Sequence, residues 1–278
     1  MILIFIFAFL ALGYMRGWLR LRSRSAEGVG AWRATGFLLG LVLIWIAVAS
    51  PLSWGDAHLL TVHMVQHLVL MSLAPPLIWL AEPVRRLTCA LPSRLTESVV
   101  LPIARWRPIQ RLGRLLGHPF VCWVAATTAL VAWHVPALLT LSMQSNAWHA
   151  IEHASFLAGG LLFWWPVVQP WPTSSTERPW SIVLYLFLAT LPCDVLSGFL
   201  VFSERVAYPV YLSAPRHASV SVVDDQQLAG ALMWTAVTII YLVAAVIVAT
   251  RSLSRSSLLV EVPSALDVAG DLRTGLVP

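Results

Sequence analysis

The chain has 278 residues, 58% of them apolar and only 11% charged, with a mean hydropathy of +0.77. A soluble globular domain carries about 25% charged residues and a disordered chain is low in hydrophobicity, so both classes are excluded. The net charge of +5 comes from 18 arginines, with no lysine, against 13 acids, and its placement reads as membrane topology rather than as a nucleic-acid-binding surface.

Apolar runs near the length that crosses a ~30 Å hydrocarbon core predict seven spans, at about 2–18, 36–50, 62–80, 120–139, 148–168, 181–202 and 228–250. The expected fold is an all-α, polytopic bundle of seven transmembrane helices over 1–251. A Ser-, Leu- and Gly-rich cytoplasmic tail, 252–278, is expected to be loosely ordered. The first run has no basic region ahead of it and no small-x-small cleavage site, so it reads as a retained helix rather than a signal peptide. Arg16 and Arg20 are expected to snorkel at its end.

Short Arg-rich loops stay in the cytoplasm. The loops after spans one, three and five and the segment after span seven carry sixteen arginines; the opposite side carries two, Arg205 and Arg216. This predicts an N-terminus outside and a C-terminus inside. Gly36, Gly40, Gly159 and Gly160 are read as close-packing positions between helices. Cys89, Cys122 and Cys193 are single residues without CxxC spacing, so neither a disulfide scaffold nor a Cys-based zinc site is indicated.

Histidine placement is the informative feature. Of eight histidines only His118 falls on the cytoplasmic side; His58, His63, His67, His134, His149, His153 and His217 fall on or near the outer side. Span three enters the membrane with His63-Met-Val-Gln-His67 and span five with His149-Ala-Ile-Glu152-His153. Each motif sets two imidazoles four residues apart on one helical face. Met71 extends the first stripe by a turn. Span four leaves through Trp133-His134-Val-Pro136, span six carries Asp194 in an apolar run, and span seven brings Asp225 and, two turns deeper, Met233.

Ionisable side chains within a membrane are costly and face the bundle interior, where they pair or bind something. Two parallel histidine pairs at one depth, with His134 nearby, point to a metal. Imidazole is the commonest transition-metal ligand, and thioethers at Met71 or Met233 tilt the choice to copper. Other readings of the same residues stay open: structural hydrogen bonding in a metal-free scaffold, an inverzincin-like zinc site with Glu152 as base, axial haem ligation, or a proton relay. Gln66 replaces the acid in the first motif and cannot act as a base. The inner halves of the spans are almost purely apolar, which suits a cup open to the outside rather than a channel.

Together with Leu73-Ala-Pro-Pro-Leu77 and Asp225-Gln226-Gln-Leu-Ala-Gly230 followed by Met233-Trp234, these motifs resemble the seven-helix CtaG family, bacterial assembly factors for caa(3)-type cytochrome c oxidase. The likeness runs from about span two to span seven, with several motifs in order; almost nothing precedes the first helix here, which departs from the family. The resemblance implies a multi-pass protein of the bacterial plasma membrane, not an enzyme, whose partners are oxidase subunits and the lipid bilayer and not nucleic acid. The expected ligands for copper are His63, His67, His149 and His153, with His134 closing the site. Glu152 and Asp194 are expected behind the imidazoles, with Asp225, Met71 and Met233 as accessory residues.

Overall fold

The computed structural model describes the backbone of residues 2–24, 30–49, 58–169, 179–213 and 220–274, with side chains omitted for 2, 24 and 255–274. Among the described residues the chain is helical and contains no strand. That is the required outcome for an apolar chain in lipid, where each backbone N–H and C=O must find its partner within the helix. Among the described residues six helices are long and apolar enough to cross a membrane: α1 (Ile2–Arg24), α2 (Ala31–Ala49), α3 (Leu60–Leu80), α9 (Asn146–Val168), α10 (Pro179–Phe202) and α11 (Val222–Thr274). A bent pair, α6 (Arg107–Leu116) and α7 (Pro119–Trp133), turns by 67° and counts as a seventh candidate only when the two are taken as one broken span. Outward faces carry exposed Phe5, Phe9, Phe187, Phe199 and Ile239, as contact with acyl chains requires.

The segment after span three departs from the expected loop. It folds as α4 (Pro83–Ala90), α5 (93–105) and α6. Helical rotation sets Arg107, Arg111 and Arg114 on one side of α6 and Ile109, Leu112 and Leu116 on the other. Every residue of α6 is exposed, the pattern of a helix lying in a membrane interface. In α4, Arg86 is buried at 1% exposure. Its guanidinium donates to the carbonyls of Ala81 and Glu82, lies 3.4 Å from the Glu82 carboxylate and sits over the Tyr14 ring. Arg33 pairs with the same carboxylate. Arg20, expected to snorkel, instead donates to the last carbonyls of α4, at Cys89, Ala90 and Leu91, where a cation suits the helix dipole.

Two local breaks shape the interior. Pro75 and Pro76 have no N–H, so the Met71 and Ser72 carbonyls lose their helical partners. The helix widens into a π turn over Val69–Leu73, with the Ala74 N–H bonded to the Val69 carbonyl. Trp164 Nε1 of α9 donates to the freed Met71 carbonyl at 3.1 Å. Gly160, one turn before Trp164, makes this approach possible: a Cβ there would lie 2.6 Å from Met71 O and 2.7 Å from Met71 Cα. The second break corrects the expected fourth span, 120–139. Pro136 disfavours helix at Val135; α7 stops at Trp133, and α8 (Pro136–Gln144) starts anew. Fifteen residues rise only about 22 Å, less than a full span, so His134 ends a short helix inside the bundle and is buried.

Helix α11 is continuous to Thr274 along its backbone. The side chains beyond 254, where the tail is expected to lose order, lie outside the described residues, as do His217, Arg178 and Arg216.

Candidate metal centre

The first turns of α3 and α9 carry the two histidine pairs, and the helices lie side by side with the pairs meeting level by level. The His63 and His149 rings are stacked with centroids 5.8 Å apart, and His67 faces His153 at 6.1 Å. Within each pair the rings are 4.2 Å apart. That is the consequence of i, i+4 spacing on an α-helix.

Glu152 stands among these rings rather than behind them. Its Oε1 is 3.2 Å from His63 Nε2 and 3.3 Å from His67 Nε2. Both imidazoles and the carboxylate are essentially withdrawn from solvent. The His63 contact has hydrogen-bond geometry; the His67 contact has the distance without the alignment, and His67 Nε2, His67 Nδ1, His63 Nδ1 and Glu152 Oε2 have no hydrogen-bond partner among the described residues. Gln66, in the place corresponding to Glu152, is also buried with both amide atoms unpartnered. Buried polar groups are ordinarily satisfied. So many orphaned donors and acceptors in one place form a costly core and a fitting coordination shell.

The donor set fits a metal. One ligand atom each from His63, His67 and Glu152 lie within 4.8 Å of one another. Ligands about 2.0–2.1 Å from one tetrahedral ion stand roughly 3.3 Å apart, which is the spacing of Glu152 Oε1 from both imidazole nitrogens. Phe156 stacks on His67 at 3.9 Å and holds its ring plane.

Other residues fix this arrangement. Asp225 does so through the backbone: its carboxylate accepts from the N–H groups of Leu60 and Thr61 at 2.7 and 3.2 Å and from the Thr61 hydroxyl. It thereby caps the N-terminus of α3 from another helix, three residues before His63. Gln226 accepts from Ala207 N–H at 2.7 Å, and the adjoining Tyr208 donates its hydroxyl to the His134 carbonyl. Trp133 Nε1 donates to Ser155 Oγ, which donates to the Glu152 carbonyl. His134 itself turns its Nδ1 to the Leu130 carbonyl at 2.7 Å and its Nε2 to Met64 Sδ at 3.3 Å; its ring is 6.2 Å from His67. Asp194, half-buried on α10, and Asp225 are not among the groups that converge on the histidines. Met71 and Met233 line a cavity adjoining His67 and His134.

Sequence reading missed Met64 and Phe156, although rotation places both on the histidine faces, next to His63 and one turn beyond Glu152. His118 lies apart: it is exposed and its Nδ1 accepts from the Phe120 N–H, capping α7.

A family model of cytochrome c oxidase caa3 assembly factors matches residues 12–255. The chain is 27% identical over 236 residues to uncharacterised proteins of Mycobacterium bovis and Mycobacterium tuberculosis, covering 81% of this chain and 34% of each relative. A Mycobacterium leprae protein is 24% identical, with 82% and 35% covered. The chain thus spans about a third of the length of the curated relatives it matches. No solved structure matches it.

Proposed function

The chain belongs to the family of cytochrome c oxidase caa3 assembly factors, a multi-pass bacterial membrane protein, and on that premise we propose that it carries copper for the oxidase. Copper is cargo here: it is held by His63, His67 and Glu152, with His149 and His153 on the approach, and passed to an oxidase subunit. The observation that supports this most is the Glu152 oxygen at 3.2 and 3.3 Å from two buried imidazole nitrogens. Its role is non-enzymatic in this reading. A zinc peptidase needs its glutamate to reach a water, and Glu152 is fully buried between two rings. A haem would need a slot between facing imidazoles, and the Nε2 atoms of His63 and His67 instead close on Glu152 Oε1 at 3.2 and 3.3 Å.

Deleting the gene is expected to abolish cytochrome c oxidase activity while the oxidase subunits are still synthesised, with partial recovery in high external copper. Normal oxidase activity in the deletion strain would overturn the client; loss of activity without any copper response would favour a metal-free scaffold.

We also propose the orientation that the arginines imply, with the histidine end of α3 outside. A reporter fused after Thr250 should behave as cytoplasmic, and one inserted between Ser203 and Asp224 as external. The reverse pattern would place the metal centre on the wrong face for an external copper supply.

A further inference from the structure

Next to the carboxylate centre lies a second set of donors of a different chemical kind. Helices α3, α7, α9, α10 and α11 line a cavity of about 30 Å³, room for one or two water-sized occupants. Its wall carries the thioethers of Met64, Met71 and Met233 and the Cys193 thiol, together with His67 and His134. All six are buried, and among the described residues no carboxylate lines the cavity.

One contact in this wall is informative. The His134 Nδ1–H donates to the Leu130 carbonyl at 2.7 Å, which leaves Nε2 as a lone pair. That lone pair faces Met64 Sδ at 3.3 Å. Two electron-rich atoms without a proton between them repel, unless a cation sits against both. Bonds of about 2.0 Å to nitrogen and 2.3 Å to sulfur would let one ion touch both at this separation, at an angle near 100°.

We infer that this cavity is a second metal site, selective for monovalent copper, with Met64 Sδ and His134 Nε2 as its fixed ligands and Met71, Met233 or Cys193 completing the shell. Thioether sulfur is a soft donor that favours Cu(I). The cost of desolvating an ion rises with the square of its charge, so a buried wall of neutral donors holds a single positive charge far more easily than two. The His63, His67 and Glu152 cluster offers a carboxylate and suits a divalent ion. His67 borders both sites, 6.2 Å from His134 ring to ring, so the two sites share one wall residue while each holds its own oxidation state. The ion enters and leaves the soft site as Cu(I), with no electron transferred.

This inference rests on the copper reading above and specifies the oxidation state of the cargo and where it is held. The test is anaerobic titration of the detergent-purified full chain with Cu(I) against a chromophoric chelator, combined with X-ray absorption at the copper edge. The wild type should bind Cu(I) with a sulfur shell. Met64→Leu and Met233→Leu keep side-chain volume and so preserve the fold; Met64→Leu should weaken Cu(I) at least about tenfold, since loss even of an outer partner costs that much. Met64→Leu should leave Cu(II) binding unchanged, whereas His63→Ala should weaken Cu(II) and keep the Cu(I)–sulfur signal. A purely nitrogen and oxygen shell, or Cu(I) affinity unchanged in both Met variants, overturns the soft site and leaves the copper reading standing. A wild-type protein that binds copper in neither oxidation state overturns both.

Discussion

Replacing His67 by alanine, or Glu152 by glutamine, is expected to lower divalent-metal affinity by at least about a hundredfold, because each is a proposed ligand and loss of an outer partner alone costs 10–100-fold. The two variants separate binding from folding. Glu152→Gln keeps volume and removes a buried negative charge, so the bundle should be as stable as the wild type while metal is lost. His63→Ala behaves differently, since it takes away the hydrogen-bond partner of a fully buried carboxylate. An unpaired buried charge costs about 3–5 kcal/mol, so this variant should lose stability as well as metal. Combining it with Glu152→Gln should restore stability and leave metal binding absent. His118→Ala should retain metal, because that side chain is exposed and caps α7. Metal content after equilibration with a competing chelator, read beside thermal unfolding in detergent, decides the matter. Full occupancy in His67→Ala and Glu152→Gln would remove the carboxylate centre from consideration.

Much of this site was legible because its spacing survives translation into three dimensions. A four-residue repeat of histidine fixes one face of a helix whatever surrounds it, and two helices entering from one side bring such faces to the same level. What stayed hidden depends on contacts between distant segments. Nothing local in Asp225 says that it caps a helix 165 residues earlier. Nothing in Arg85-Arg86 separates an exposed topology marker from a buried guanidinium lying over Tyr14. Glu152 was expected behind the rings because carboxylates commonly orient ligating imidazoles; it stands between them because it falls three residues after His149 and one before His153, on the side turned to α3. The early end of α7 had a signal in Pro136, which seven runs of full span length obscured. Small-residue positions were legible as a class but not individually, and only the facing backbone distinguishes them.

That distinction yields a sign test at three glycines. Gly159→Ala should be nearly neutral, since its Cβ would make ordinary contacts at 3.5 and 3.6 Å. Gly198, one turn before the end of α10, has nothing within 4 Å of the added carbon. There alanine should stabilise by about 0.5–1 kcal/mol, through lower backbone entropy in the unfolded chain and better helix propensity. Gly160→Ala should destabilise by about 1–3 kcal/mol, because the added carbon meets Met71 O at 2.6 Å and Met71 Cα at 2.7 Å. These are backbone atoms that no rotamer change can move aside. The only relief is to shift α9 from α3 at the π turn, which lengthens the bond from Trp164 Nε1 to the Met71 carbonyl. Glu152 and His153 lie about two turns before Gly160 along α9, so the shift carries to the proposed ligand Glu152. Gly160→Ala should therefore lower both the melting temperature and the metal affinity, although its side chain touches neither histidine nor metal. Equal melting temperatures for the Gly159, Gly160 and Gly198 variants would show that α3 and α9 do not approach as closely at Met71 as the structure has them.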